Sequence, residues 1–265
     1  MPAEMAALAR DLAAETAVTR GLVAGLDEAG WRTPTPAAGW DIADQIGHLA
    51  YFDEAAVCSA VRPAEFHAAL AEARAAGGID PDAIAARSRD RSGAQMLAWF
   101  DAARAELLGT FAGLDPRARL PWFGPAMSAA SALTARLMET WAHAQDIADA
   151  LGISREPTER LRHIAHLGVG ARAFSYTIRG KPQPPDPVRV ELTAPDGALW
   201  TWGPAEAEHQ VTGPALDFCL LVTQRRHQDD LALTIDGPAA AEWMAIAQAF
   251  AGAPGPGRPP ATGQA

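Results

Sequence analysis

Lysine is almost missing from these 265 residues: Lys181 is the only one, so nearly all the basic charge is carried by arginine. Lys and Arg together number 22 against 32 Asp and Glu, a formal charge of −10. That balance argues against a nucleic-acid or anionic-membrane surface, since both need clustered cations. Cysteine is scarce as well. Cys58 and Cys219 lie far apart in apolar helical contexts, which favours two buried thiols over a disulfide. No apolar run reaches the roughly 18 residues of a membrane span, and no basic-then-apolar leader opens the chain. These absences predict a soluble cytoplasmic protein. Several motifs of common enzyme classes are also lacking: there is no Gly-rich phosphate loop, no Ser nucleophile elbow and no Cys-x-x-Cys pair.

What is present over the first 180 residues is helix. Residues 3–28 are rich in Ala and Leu, with apolar positions recurring near the helical period. WRTPTPAAGW reads as a Pro/Gly loop, after which Asp41 stands at the N-cap of a helix over 42–61. Shorter helices fit 64–90, around Gly77-Gly78 and Asp80-Pro81. A third long helix fits 91–113 and stops before Asp115-Pro116. LPWFGPAMS reads as a loop, Ser128 caps a fourth long helix, and a fifth over 156–178 ends at Gly180. Long helices joined by connections of mixed length predict a bundle, in which ligands come from facing helices.

The composition changes at KPQPPDP, a stiff linker because each proline fixes φ. VRVELTA then alternates like a half-buried strand, and Pro195-Asp196-Gly197 turns the chain into ALWTWG. HQVTG and LALTIDG read as further strands, PALDFCLLVTQRR and PAAAEWMAIAQAF as helices. The predicted organisation is an all-α four-helix bundle over 1–180, a small α+β domain over 181–251 and a disordered tail over 252–265.

The chemistry concentrates in RLMETWAHAQDIADAL, where Glu139 and His143 stand i, i+4. Residues so spaced lie only about 40° apart around a helix, so an imidazole and a carboxylate project side by side. An exposed polar pair has the same spacing. Here Leu137, Met138, Trp141, Ala144 and Ile147 make the helix a largely buried one, and a buried carboxylate needs a partner such as a metal. His48, in GWDIADQIGHLAYFDEAA, supplies a third ligand if the two helices face each other. Three N/O ligands with an open fourth position describe a catalytic rather than a structural zinc site. The same set also suits Ni, Fe or Mn.

Asp44, four residues before His48, and Asp146, three after His143, could each take the second N–H of a ligand imidazole, or stand as ordinary solvated acids. Asp146 could also serve as a general base. His163 and His166 stand i, i+3 on the fifth helix without a carboxylate at good spacing, and His67 and His209 read as surface residues. Arg225, Arg226 and His227 end a helix, where cations complement the dipole. An arginine there could equally hold a substrate carboxylate in bidentate fashion.

Together, WRTPTPAAGWDIADQIGHLAYFDE and METWAHAQDIADALG resemble the metal-binding domain of the mycothiol-dependent maleylpyruvate isomerases, within the DinB-like group of thiol-dependent transferases. The pattern of that family is a Trp-containing loop, a helix with one His and a later helix with Glu-x-x-x-His. His48, Glu139 and His143 fall on its three ligand positions. The resemblance covers residues 1 to about 180 and implies a four-helix bundle that holds zinc, or another divalent ion, with water at the open position. VRVELTAPDGALWTWG and VTGPALDFCLLVTQRRH are similar to the second domain of a two-domain actinobacterial subgroup. Part of that region is likened to a tRNA wybutosine-synthesis domain, but the −10 charge and the lack of a basic stripe speak against an RNA role.

The activity implied is that of a metal-bound, mycothiol-like thiol whose pKa is lowered. Its thiolate attacks a small electrophile, which is then isomerised or kept as the transfer product. Asp146 for proton handling, and Arg225 or Arg226 for an acidic substrate, are assigned from position rather than from the family. Two other readings fit the same residues: a metal-dependent enzyme of this fold that uses no thiol, and a metal-binding module without turnover. The expected partners are a small-molecule substrate and a thiol cosubstrate, with no nucleic acid and no membrane, on a monomer or homodimer.

Overall fold

Two reciprocal side-chain locks start two of the long helices. Asp41 accepts the backbone N–H of Asp44 while the Asp44 carboxylate accepts that of Asp41, which opens α3 (Ile42–Val61). Ser92 and Gln95 do the same for α6 (Gly93–Ala112). Each lock satisfies N–H groups that a helix leaves open at its start, and a single N-cap is worth about 1 kcal/mol. Ser128 caps α7 (Ala129–Leu151) by accepting the N–H of Ser131, and Gly152 ends that helix in the left-handed region at φ 66°. α1 (Pro2–Val23) stops short of residue 28, and the short α2 (Glu28–Trp31), α4 (Pro63–Ala75) and α5 (Pro81–Ala86) fill the connections.

A computed structural model, which describes residues 2–75 and 77–261, divides into two units, Met1–Arg155 and Glu156–Ala265. In the first, α3 packs on α6 and α7, and α1 packs on the same two helices, making a four-helix bundle. Ile42, Ile46, Leu49, Met96 and Phe100 are fully buried in its core. Each such side chain contributes about 1.5–3 kcal/mol by leaving water. The loop predicted at LPWFGPAMS contains a small antiparallel hairpin, β1 (Arg119–Leu120) with β2 (Met127–Ser128).

One polar layer interrupts the apolar core. Asp53 of α3 accepts Arg104 Nε of α6 at 2.6 Å and Arg136 Nε of α7 at 2.8 Å, and all three side chains are buried. Arg104 also donates to Thr140 at 2.9 Å and to Thr16 of α1, and Arg136 donates to the Leu49 carbonyl at 3.0 Å. Every long helix of the bundle therefore contributes a group. Removing one partner from such a set leaves an uncompensated buried charge, at a cost of roughly 3–5 kcal/mol.

The second unit holds α8 (Leu161–Gly170), α9 (Arg172–Thr177) and a mixed sheet. The strands are β3 (Val188–Thr193), β4 (Leu199–Trp202), β5 (His209–Pro214) and β6 (Thr234–Asp236), in the order β4-β3-β5-β6. β3 and β5 run parallel, and the other two pairings are antiparallel. α10 (Ala215–Val222) follows β5, and α11 (Pro238–Met244) closes the unit. The single helix expected over 156–178 is thus two helices, and α8 packs on α10. A Cβ on Gly168 would lie 2.8 Å from Val222 Cγ2, so the contact is closer than any side chain allows. The division accordingly falls at 155, not near 180. The prolines of KPQPPDP mark an extended connection inside the second unit rather than a boundary.

Residues 252–261 of the expected tail carry no helix or strand, yet the Ala261 N–H is accepted by the Asp230 carboxylate at 2.9 Å. Residues 262–265 lie outside the described residues. Both cysteines are free thiols, Cys219 buried and Cys58 half-buried, and burial pushes the Cys219 thiol up. Among the described residues, no helix is long and apolar enough to cross a membrane.

Candidate metal centre

The facing of α3 and α7 brings His48 against the Glu139–His143 pair. His143 Nε2 lies 3.2 Å from Glu139 Oε2, and His48 Nε2 lies 3.5 Å from the same oxygen. The two imidazole centroids are 4.4 Å apart, and one ligand atom from each of the three residues falls within 4.8 Å of the others. No other group of three His, Cys, Asp or Glu converges in this way among the described residues. The site retains some contact with solvent: the side chains of His48, Glu139 and His143 are 13, 19 and 10% exposed.

The outer partner of His143 is Gln45, which the sequence reading missed. His143 Nδ1 donates to Gln45 Oε1, and the Gln45 amide is oriented in turn because its Nε2 donates to Thr35 Oγ1 at 2.8 Å. The other ring nitrogen, Nε2, faces Glu139 Oε2 at 3.2 Å, and the space between them suits a proton or a cation. His48 is held neutral at ordinary pH. Burial, and then the nearby His143, lower its pKa from 6.5 to about 4, against a smaller pull upward from Glu139. Burial works to raise the Glu139 carboxyl, but hydrogen bonds with His143 and His48 hold it well below its ordinary value. A neutral His48 and an ionised Glu139 are the protonation states a divalent cation requires of those two groups. His48 Nδ1 is buried without a hydrogen-bond partner, a second sign that the donor set is incomplete by itself. The residues fit a metal.

Aromatic rings wall the site. Trp40 stacks near-parallel to His143 at 6.0 Å and lies 5.3 Å from His48, and its indole N–H is fixed by Asp82 at 2.6 Å. Phe52 lies 4.6 Å from His48 on the other side, continuing into Phe123, Trp122 and Phe66. The rings pack against the two imidazoles, and Glu139 keeps the most exposure of the three side chains.

The remaining predicted residues take varied places. Asp44 does not serve His48 or His143. Its carboxylate completes the α3 capping box and receives a two-pronged ion pair from Arg89, at 3.1 and 2.9 Å, which raises the arginine pKa. Asp146 is buried, 2% exposed, one turn beyond His143 on α7. In the second unit, His166 Nδ1 accepts the Trp202 indole N–H at 3.3 Å. His67 is exposed on α4 and His209 half-buried on β5. Arg225 and Arg226 follow α10; Arg225 Nη1 donates to the Thr223 carbonyl at 2.6 Å, and Arg226 Nη1 to the Arg225 carbonyl at 2.7 Å. The first of these is the helix-end capping that a cation at that position predicts.

Comparison with known proteins adds family and fold. A family model described as the mycothiol maleylpyruvate isomerase N-terminal domain matches residues 12–148. A second, described as wyosine base formation, matches residues 184–235. An uncharacterised protein of Mycobacterium tuberculosis is 46% identical over 248 residues, covering 94% of this chain and 96% of its own length; it is found in both strain CDC 1551 / Oshkosh and strain ATCC 25618 / H37Rv. Two crystal structures of mycothiol-dependent maleylpyruvate isomerase, one of them a mutant, share the fold. Their TM-scores are 0.57 and 0.58 at 16 and 15% identity, covering 89% of this chain and 95% of theirs.

Proposed function

From the premise that the chain belongs to the family of the mycothiol maleylpyruvate isomerase N-terminal domain, we propose that it is a divalent-metal enzyme working with a low-molecular-weight, mycothiol-like thiol. Its reaction is transfer of that thiol to a small electrophile, or thiol-assisted isomerisation of one. The observation that carries this reading is the convergence of His48, Glu139 and His143, with the Nδ1 proton of His143 committed to Gln45.

His48, Glu139 and His143 are the ligands, and zinc is the cation best matched to two imidazoles and a carboxylate. Bound there, the cation lowers the pKa of a thiol from about 8.5, so that thiolate is available at neutral pH. Gln45 holds the His143 ring in one tautomer. Trp40 and Phe52 keep water from the ligand rings. Asp146 is assigned the transfer of a proton to or from the substrate, and Arg225 or Arg226 the anchoring of an acidic substrate group.

The test begins with elemental analysis of the purified wild type and of His143→Ala, prepared without chelators. About one divalent cation per chain in the wild type and none in the variant is the expected result. Full metal content in the variant would remove His143 from the ligand set. The thiol is then tested by difference absorbance of the thiolate on addition to the metal-loaded protein, whose absence would leave a metal enzyme without a thiol. Asp146→Asn should keep the metal and slow turnover, and an unchanged rate would end its catalytic assignment.

A further inference from the structure

Thr35 stands between two prolines, Pro34 and Pro36, in the loop that precedes α3. A residue before proline is pushed toward extended backbone, and a β-branched side chain is stiff at χ1. Local covalent structure therefore restricts where its hydroxyl can point. The loop is then closed on itself. Pro34 bridges Asp41, the Thr35 N–H donates to the Trp40 carbonyl at 2.8 Å, and the Ile42 N–H donates to the Thr33 carbonyl at 3.1 Å.

Valence gives the side-chain contacts of this loop a direction. The Thr35 hydroxyl has one proton and donates it to the Trp40 carbonyl at 3.0 Å, a group that can only accept. Oγ1 is left with lone pairs, so its next neighbour has to be a donor. That neighbour is Gln45 Nε2, at 2.8 Å, on a side chain that is fully buried. The opposite end of the amide is then its oxygen, and the His143 nitrogen against it, Nδ1, carries a proton. Nε2 of the same ring is left facing Glu139 at 3.2 Å. Three hydrogen bonds thus run one way, from the imidazole to a backbone carbonyl. The residue that supplies this carbonyl also stacks its ring on His143 at 6.0 Å. Trp40 therefore meets the imidazole twice, at its face directly and at its Nδ1 edge through Thr35 and Gln45.

We propose that Thr35 is a positioning residue for His143. Its hydroxyl fixes the direction of the Gln45 amide, and the amide keeps the imidazole turned with a bare Nε2 toward Glu139. Without a hydroxyl at position 35 the amide can turn end over end. A turned amide presents N–H to Nδ1 and sends the ring proton to Nε2, the nitrogen a cation needs. The proposal deepens the metal reading above and rests on it for the use made of Nε2.

Thr35→Val and Thr35→Ser in the full-length protein test it. Valine keeps the branched shape and the backbone bond to Trp40 but has no hydroxyl, and serine keeps the hydroxyl. In metal-free protein, at a pH where the ring is neutral, the imidazole nitrogen chemical shifts of His143 separate a protonated nitrogen from a bare one. Wild type and Thr35→Ser should show a protonated Nδ1, and Thr35→Val an Nδ1 that is bare in part or all of the population. Zinc affinity, read by competition with a chromophoric chelator, should fall about tenfold in Thr35→Val and return in Thr35→Ser. On a Gln45→Ala background Thr35→Val should cost no further affinity, because the path through the amide is already cut. A bare Nδ1 in the wild type, a fully protonated one in Thr35→Val, or the same zinc loss with and without Gln45 overturns the proposal. A wild type that takes up no zinc would end the metal assignment alone, since the nitrogen shifts still decide the role of Thr35.

Discussion

A carbonyl oxygen rather than a carboxylate takes the Nδ1 proton of His143. The imidazole is oriented without a second negative charge being buried beside Glu139. Loss of an outer partner of this kind typically costs a metal site about 10–100-fold in affinity. Gln45→Ala should weaken the metal by that range, read by competition with a chromophoric chelator, and an unchanged affinity would reduce Gln45 to a packing residue. His48 carries a pH signature. Its pKa falls from 6.5 to about 4 in the folded chain, through burial first and the neighbouring His143 second. Between those values the unfolded chain binds the extra proton, so the metal-free protein should lose stability as pH drops from 6.5 toward 4. His48→Ala should show a shallower loss across that window in denaturant midpoints, and identical slopes would remove His48 as the cause. Glu139 and His143 were legible as a candidate pair because i, i+4 spacing is a property of the helix itself, and His48 was tied to them by the family resemblance. Gln45 was not, because an uncharged amide gives no signal when carboxylates are the partners sought. Asp44 had the right spacing, but the start of α3 and Arg89 already occupy it.

Among the elements, caps were the readable feature. Asp41 and Ser128 start helices where their side chains predict, because an N-cap satisfies local backbone donors and needs nothing from the rest of the fold. The membership of α8 and α9 in the second unit follows instead from contacts of α9 with α11 and of α8 with α10, both some distance away in sequence. Gly168 is where that contact is tightest, since a Cβ there would meet Val222 and Phe218 at 2.8 and 3.1 Å. Gly168→Val should destabilise the second unit by roughly 1–3 kcal/mol, the usual cost of overpacking. Urea unfolding of the wild type and the variant followed by near-ultraviolet circular dichroism, with metal content measured in parallel, separates this from damage at the metal site. A neutral substitution would mean that the two helices move apart freely. The hairpin at 119–128 was hidden because its strands are two residues each, too short for alternation to register.

For the molecule as a whole, the sequence reading placed a helical bundle before an α+β region correctly and put their division too late. A run of prolines looks the same whether it joins domains or crosses one. Arg155, the last residue of the first unit, donates to the Trp141 carbonyl at 2.9 Å and pairs with Glu15, so the end of that unit is fastened to α7 and α1. A fragment of residues 1–155 should therefore fold cooperatively and keep about one divalent cation per chain, measured by thermal unfolding and elemental analysis. A fragment that folds but holds no metal would make the second unit part of the ligand site. The candidate ligands come from two helices, one at residue 48 and the others at 139 and 143. A cation held between them would act as a cross-link that closes the whole intervening chain into a loop, so its escape would be coupled to the parting of α3 from α7. The rate of metal release then reports the breathing of the bundle: mutations that slacken the α3–α7 seam should speed exchange with free isotope-labelled zinc even when they leave every ligand in place.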